Sequence, residues 1–148
     1  MRAILGRMMS RGLLAALLWL PALALGAVTQ VGTGQGAALE GVVGPISMNH
    51  ETGRQSGDVT FVAIQYWNNP AVAPTITGFT QLATINVNAG SPPDKQYVFY
   101  RVHDGSEAAT YSVATGGGGT FAVVAAVTLR GLNTTSPING QATATGSS

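Results

Sequence analysis

The chain contains no cysteine and few charged residues, and each shortage excludes a class of protein. Without cysteine, disulfides, thiolate metal ligands, cysteine nucleophiles and a lipid anchor on cysteine are all excluded. Charged residues make up only 9% of the 148 residues, whereas glycine occurs 20 times. The fold must therefore rest on a hydrophobic core, and the length suits one domain, since single domains commonly contain about 100–150 residues.

The chain also lacks a basic surface. Three of its arginines, Arg2, Arg7 and Arg11, precede residue 28, so the formal charge of +1 becomes −2 for the remainder. A body with this balance has no cluster of cations to neutralise phosphates. Nucleic acid is therefore excluded as an expected partner.

Residues 1–27 have the three parts of a secretory signal peptide. The three arginines precede an apolar run at 13–20, Pro21 interrupts it, and small residues follow. The apolar stretch is shorter than the roughly 20 residues that span a bilayer, so no stable membrane span is expected after cleavage behind Ala24 or Ala27. We predict a signal-type helix and a secreted or extracellular protein. The alternative, a start site assigned too far upstream, would reverse this localisation.

From residue 28 the pattern changes to short alternating segments separated by turn residues, which is typical of an antiparallel sandwich or barrel. We predict an all-β, antiparallel β-sandwich of about 6–8 strands, jelly-roll or Ig-like, over residues 28–140. Residues 141–148 are expected to form a flexible tail or an unpaired edge strand. The predicted strands are Val42–Met48, Val59–Trp67, Thr80–Val87, Gln96–Val102, Thr110–Ala114 and Phe121–Arg130, with a weaker one at Val28–Val31.

No set of residues forms a recognisable catalytic or cofactor site. The two histidines, His50 and His103, lie in different segments, and no Gly-x-Ser-x-Gly motif is present. The run from His103 to Glu107 offers metal ligands, but it lacks the spacing of a calcium loop, and Asp104-Gly105 is a tight-turn signal. We therefore predict no enzyme, metal or cofactor, and keep as the alternative a small hydrolase that uses His103 with Asp104 or Glu107.

Trp67 is the candidate ligand contact. It ends a predicted strand beside Asn68 and Asn69, where a ligand such as a sugar could reach these three residues and stack on the indole ring. Packing of the ring against neighbouring side chains is the alternative. This pattern favours a secreted or periplasmic binding protein for a carbohydrate or another ligand.

The order of the segments resembles that of β-sandwich modules in bacteriophage tail-associated and prophage structural proteins. The resemblance covers about residues 28–140 and rests on Gly57-Asp58 before an apolar strand, Thr77–Leu82 after Pro74, Val98–Glu107, Ala109-Thr110-Tyr111, and Leu129-Arg130-Gly131 with Pro137.

The resemblance implies a structural or adhesive module that contacts other protein subunits or a cell-surface glycan, virion-associated or on an exported appendage. It also implies framework roles for Arg101, Asp104, Gly105 and Arg130, with the arginines pairing with carboxylates or capping carbonyls. The chain stops where such modules continue with further strands, so a truncated copy with an open sheet edge, and hence a homo-oligomer, is expected.

Overall fold

A computed structural model of the chain describes residues 27–40, 44–67, 72–87, 93–115 and 121–139. These residues form eight strands, all paired antiparallel, as the all-β prediction requires. The strands are β1 Thr29–Glu40, β2 Ile46–Asn49, β3 Val59–Trp67, β4 Thr75–Ile76, β5 Thr80–Asn86, β6 Lys95–Val102, β7 Thr110–Ala114 and β8 Phe121–Arg130. The predicted signal-type helix and the tail at 141–148 lie outside the described residues. Within the described ranges, no helix is long and apolar enough to cross a membrane.

The strands form two sheets. The five-stranded sheet has the order β1-β8-β3-β6-β5, and the three-stranded sheet has the order β2-β7-β4. β3 is the central strand of the larger sheet because it pairs with β6 on one side and with β8 on the other. The two sheets enclose one core between them, which makes the architecture sandwich-like.

The core consists of the side chains that alternate inward from both sheets. β3 and β8 contribute Val62, Ile64 and Val124, all fully buried, and β7 contributes Val113 from the opposite sheet. Burying an aliphatic side chain of this kind stabilises the fold by about 1.5–3 kcal/mol. The phenol of Tyr66 donates to the Thr115 carbonyl 2.9 Å away, so this buried hydroxyl is paired.

A wide bulge interrupts the edge strand β1. Val31 pairs with Thr128 and Gln35 with Ala126, so three residues of β1 lie opposite one residue of β8. Gly32 and Gly34, inside the bulge, have φ angles of 70° and 75°, which glycine adopts without the steric penalty of a side chain.

The predicted strand bounds differ by one residue at the end of β5 and at the start of β6, and the prediction departs further from the structure in three other places. In the segment predicted as Val42–Met48, residues 42 and 43 lie outside the described residues, and β2 begins at Ile46 and ends at Asn49. Pro45, just before it, has no N–H to donate to a ladder. The weak strand at Val28–Val31 is the start of the 12-residue β1. The two-residue β4 has no counterpart among the predicted strands, and a turn in which Phe79 N–H donates to the Ile76 carbonyl follows it.

Candidate functional site

A chain of buried polar groups links the two central strands to the segment after β6. Thr60 Oγ1 on β3 lies 2.7 Å from Thr128 Oγ1 on β8 and 2.6 Å from Nε2 of His103. On the other side of the imidazole, Nδ1 lies 3.2 Å from Oε1 of Glu107. We call these four residues the buried network.

The neighbours of His103 determine its tautomer. Nδ1 faces the Glu107 carboxylate at ion-pair distance, although the two groups are not aligned as a hydrogen bond. A neutral imidazole therefore carries its proton on Nδ1, since the other tautomer would direct a lone pair at the carboxylate. Nε2 then accepts the Thr60 hydroxyl, and Thr60 Oγ1 accepts the hydroxyl of Thr128. Burial lowers the pKa of His103 and outweighs the opposing effect of Glu107, which favours the neutral ring.

Glu107 organises the turn that follows β6. Its carboxylate accepts the N–H groups of Asp104 at 2.8 Å and Gly105 at 3.1 Å, and Arg101 Nε lies 3.3 Å from it. Burial alone would raise the pKa of Glu107, but these backbone donors, its own N–H and the adjacent His103 lower it to about 2. The carboxylate is thus an ionised structural anchor at neutral pH.

The turn at Asp104-Gly105 has the geometry that its residue types predict. Asp104 Oδ1 accepts the N–H of Ser106 at 2.7 Å and its hydroxyl at 2.6 Å, and Gly105 has a φ of 92°. The connection leads from β6 in the larger sheet to β7 in the smaller sheet, so it joins two layers and is not a hairpin. The carboxylate of Asp104 therefore binds within its own turn. Of the two carboxylates considered as partners of His103, the one that lies next to its ring is that of Glu107.

Arg130 and Asp58 form a second ion pair, at the end of β8 next to the start of β3. Nε and Nη2 of Arg130 each donate to one carboxylate oxygen at 2.8 Å, and Nη2 also donates to the Gly53 carbonyl. Asp58 also accepts the N–H of Gln55. The bond from Arg130 is the main reason that the pKa of Asp58 is lowered. This pair links the end of β8 to the segment before β3, at the end of the sandwich where the buried network lies.

His50 fills the space between the buried network and the core. Its ring centroid lies 4.7 Å from that of Tyr111, 4.9 Å from that of His103 and 6.3 Å from that of Phe79. Burial, followed by the adjacent His103, lowers its pKa to about 4. Among the described residues, its Nδ1 has no hydrogen-bond partner, and neither do the Tyr111 hydroxyl or Oε1 of the adjacent Glu51. His50 is therefore held as a neutral aromatic ring.

The buried network contains the three groups of a nucleophilic triad: a hydroxyl next to an imidazole, which lies next to a carboxylate. Here the hydroxyl belongs to Thr60, which is 2% exposed, and the imidazole of His103 is equally buried. Thr60 lies on the central strand of the larger sheet, beneath the smaller one, so a substrate has no path to its oxygen in this conformation. No group of three or more metal-ligating side chains occurs in the part of the chain that the structure describes.

The second feature is the side of the five-stranded sheet that points away from the smaller sheet. On β3, β6 and β8 it carries no charged residue. We call its open part the apolar face; it consists of Phe61, Ala63, Gln65, Trp67, Gln96, Val98, Tyr100, Phe121, Val123, Ala125 and Val127, with Gly36, Ala38, Ala83 and Ile85 at its margins. All of these residues are at least partly exposed.

Among the described residues, the chain covers only one end of this side. Val59 lies in register with the apolar face but is completely buried. Thr134, after β8, lies 3.5 Å from the position that a Cβ on Gly57 would occupy, so the chain turns back towards the start of β3. Beyond that end, the residues that the structure describes leave the apolar face open to solvent.

The outward side of the smaller sheet has the opposite character. Its residues are polar or small and all are exposed: Ser47, Asn49, Thr75, Thr110, Ser112 and Ala114. An antiparallel sheet that packs on a core with one face and meets water with the other shows this alternation. The larger sheet departs from the pattern, because both of its faces are apolar.

The height of the side chains varies from row to row across the apolar face, and we call this variation its relief. The cross-strand register shows which residues form each row. One row, the small-residue row, consists of Gly36, Ala125, Ala63, Val98 and Ala83. The adjacent row, two residues along the strands, carries Phe61 and Tyr100, whose ring centroids are 6.5 Å apart. Two rows beyond the small-residue row, on the other side, Trp67 and Phe121 pack edge to face at 5.2 Å. The small-residue row is therefore a shallow trough next to an aromatic ridge.

Trp67 is 49% exposed at the end of β3, where its sequence position placed it, and its ring packs on Phe121. Asn68 and Asn69 lie outside the described residues. Of the predicted framework residues, Arg101 contacts Glu107 and Arg130 contacts Asp58. The sequence analysis missed Thr60 and Thr128; the only signal for them was a polar residue at an inward position of two apolar strands.

Comparisons with protein-family models, with curated proteins and with solved structures found no match to this chain.

Proposed function

We propose that this protein is a non-enzymatic structural or adhesive module of a phage-like or exported appendage, and that it acts through surface contacts with other protein subunits or a cell-surface glycan. The observation that carries the proposal is the apolar face. Monomeric soluble proteins rarely expose a large continuous apolar surface, and such surfaces mark sites of association. A contact there would remove from water the aromatic side chains that the fold itself leaves exposed.

The state of the polar side chains supports the same proposal. His103, Glu107, Asp58 and Arg130 bind one another or nearby strands and turns at one end of the sandwich. Side chains held in this way stabilise the fold and are closed to a substrate. The module would therefore act as a rigid body that presents a surface.

The strand order adds support at the level of fold. β1 pairs with β8, β2 with β7 and β3 with β6, which is the nested pairing of a jelly roll. β5 pairs with β6 and so lies on the larger sheet. Within the predicted pair of folds we therefore favour the jelly roll over the Ig-like sandwich. Jelly rolls are found in viral capsid and lectin domains, an analogy of fold that is compatible with assembly and with glycan contact.

Fractionation of cells that produce the native protein tests this function. Culture supernatant, envelope and sedimented particles are separated, and mass spectrometry identifies the N-terminal peptide of the protein in each. We expect enrichment with the sedimented particles or the envelope surface, and reduced enrichment of an Ala125→Arg variant. Ala114→Arg, which adds the same charge to the outward side of the smaller sheet, serves as the control. A protein confined to the soluble fraction would contradict the proposal.

A second candidate function, binding of a carbohydrate by a secreted protein, is favoured by the exposure of Trp67. Its indole is half exposed and is oriented by Phe121, as a stacking platform for a sugar requires. A glycan array followed by fluorescence titration is the test. Trp67→Ala should abolish saturable binding, whereas Phe61→Ala, an aromatic truncation farther along the same strand, should preserve it. Binding that persists in Trp67→Ala would exclude this site.

A further inference from the structure

We propose that a second copy of this chain covers the apolar face, forming a two-fold symmetric dimer in which the two five-stranded sheets pack against each other. The inference rests on the proposed function, because it names the occupant of the surface through which the module is proposed to act. Three properties of the apolar face favour a second copy over an unrelated partner: its charge, its size and its relief.

Charge is the first property. The open positions of β3, β6 and β8 include two glutamines and one tyrosine hydroxyl but no ionised group. An uncharged surface offers no electrostatic complement to a partner of defined charge, whereas it meets an identical surface without burying an unpaired ion. On these three strands both glutamines lie in one row, at Gln65 and Gln96, so the other rows there present only apolar groups and the tyrosine. At the edges of the sheet, Thr80 on β5 is in register with Tyr100, and Glu40 on β1 is in register with Phe121.

Size is the second property. Five strands about 4.8 Å apart, over four rows of outward residues about 6.7 Å apart, give a projected area of roughly 600 Å². Side chains that stand out from the sheet add to this value. A stable interface buries about 800 Å² on each partner, so the apolar face alone approaches the area that a dimer needs.

Relief is the third property. A two-fold contact is self-complementary, since each residue that meets a second residue is met by it in return. The aromatic ridge of Phe61 and Tyr100 is one row, about 6.7 Å, from the small-residue row. With a two-fold axis between these rows, Phe61 of each copy lies on Ala63 and Ala125 of the other. Two sheets packed in this way interdigitate at the spacing of about 10 Å that β-sandwiches show.

Sedimentation equilibrium of the purified full chain tests the proposal. The expected particle has twice the monomer mass of 15.1 kDa. Ala125→Arg should weaken dimerisation on the order of 100-fold or more, because it buries an unpaired charge in the interface. Ala114→Arg, the matched control, should leave the dimer intact. Circular dichroism of both variants confirms that each remains folded, and Ala125 is exposed, so the arginine does not disturb the core.

A cross-linking experiment tests the same contact without an added charge. Since the chain has no cysteine, Ala125→Cys and Ala114→Cys each provide a single thiol. A short bismaleimide should link Ala125→Cys into dimers and leave Ala114→Cys monomeric. A wild-type chain that stays monomeric at millimolar concentration, or a dimer disrupted by Ala114→Arg and not by Ala125→Arg, would overturn the proposal. A monomer that still sediments with particles would reject the second copy alone, whereas a dimer found only in the soluble fraction would reject the proposed function alone.

Discussion

Replacing Thr60 with valine should remove the central link of the buried network with little change in side-chain shape. The hydroxyl oxygen lies 2.6 Å from Nε2 of His103 and 2.7 Å from Oγ1 of Thr128, so both lose a partner. All three side chains are buried, and water cannot easily replace the missing group. We expect Thr60→Val to destabilise the fold strongly for a substitution that preserves volume.

The magnitude follows from the two groups left unpaired. Each hydrogen bond contributes about 0.5–1.5 kcal/mol, and each buried polar group without a partner costs about 1–3 kcal/mol. We therefore expect Thr60→Val to lower the free energy of unfolding by about 3 kcal/mol. Adding Thr128→Val removes one of the two unpaired groups, so the double variant should be more stable than the sum of the single effects predicts, by about 1–2 kcal/mol.

Urea denaturation measures these differences. With a slope of about 2 kcal/mol per molar urea, typical of a domain of this size, the midpoint of Thr60→Val should fall by about 1.5 M. Thr60→Ser is the control, because it keeps the hydroxyl and loses only a methyl group, worth about 1 kcal/mol. The reasoning is refuted if valine is no more destabilising than serine, or if the effects of Thr60→Val and Thr128→Val add.

Two further predictions concern pH and backbone conformation. Between pH 6.5 and pH 4, His50 should lower the free energy of unfolding by about 3 kcal/mol, because the unfolded chain protonates His50 at its usual pKa whereas the folded chain resists protonation until about pH 4. Urea titrations at successive pH values should show this loss. His50→Phe should remove the contribution of His50 and leave the loss that His103, whose pKa is also lowered by burial, contributes in the same direction. Glu107 adds a second loss as the pH falls from 4.5 to about 2, the range between its ordinary and its folded pKa. In thermal unfolding, Gly78→Ala should lower the melting temperature more than Gly53→Ala does. Both glycines have a positive φ, near 80°, so the backbone strain is similar. A Cβ on Gly78 would overlap Arg101 Nη1, whereas no atom lies within 4 Å of a Cβ on Gly53. Equal effects would show that the Arg101 side chain moves away from the new methyl group without cost.

Strands with a strong apolar signal could be predicted from the sequence, and strands that depend on a partner could not. The bounds of β3 and β8 agree with the prediction because both segments are rich in β-branched residues that favour a half-buried pleated surface. β1 contains three glycines and several small residues, so its length depends on pairing with β8. β4 is two residues long and has too few positions to show a period.

The buried network escaped prediction for a different reason. Thr60 lies 43 residues from His103 and 68 from Thr128, and only the register of three strands brings them together. Threonine is also an ordinary strand residue, so neither position differs from its surroundings by type. The apolar face did leave a signal, since a strand such as β3 that is apolar at both alternating positions has two faces to cover.

The bulge in β1 bears on how copies of the chain could associate. A long, regular edge strand is a template for adding strands from other molecules, and repeated head-to-tail addition builds open-ended filaments. The two extra residues in the bulge that contains Gly32 and Gly34 break the regular spacing of donors and acceptors along this edge, because a bulge bends and twists the strand. Growth by edge addition is thereby disfavoured, whereas contact through the broad side of the sheet ends after two copies. The irregular edge would therefore favour a closed assembly of fixed size over a fibre.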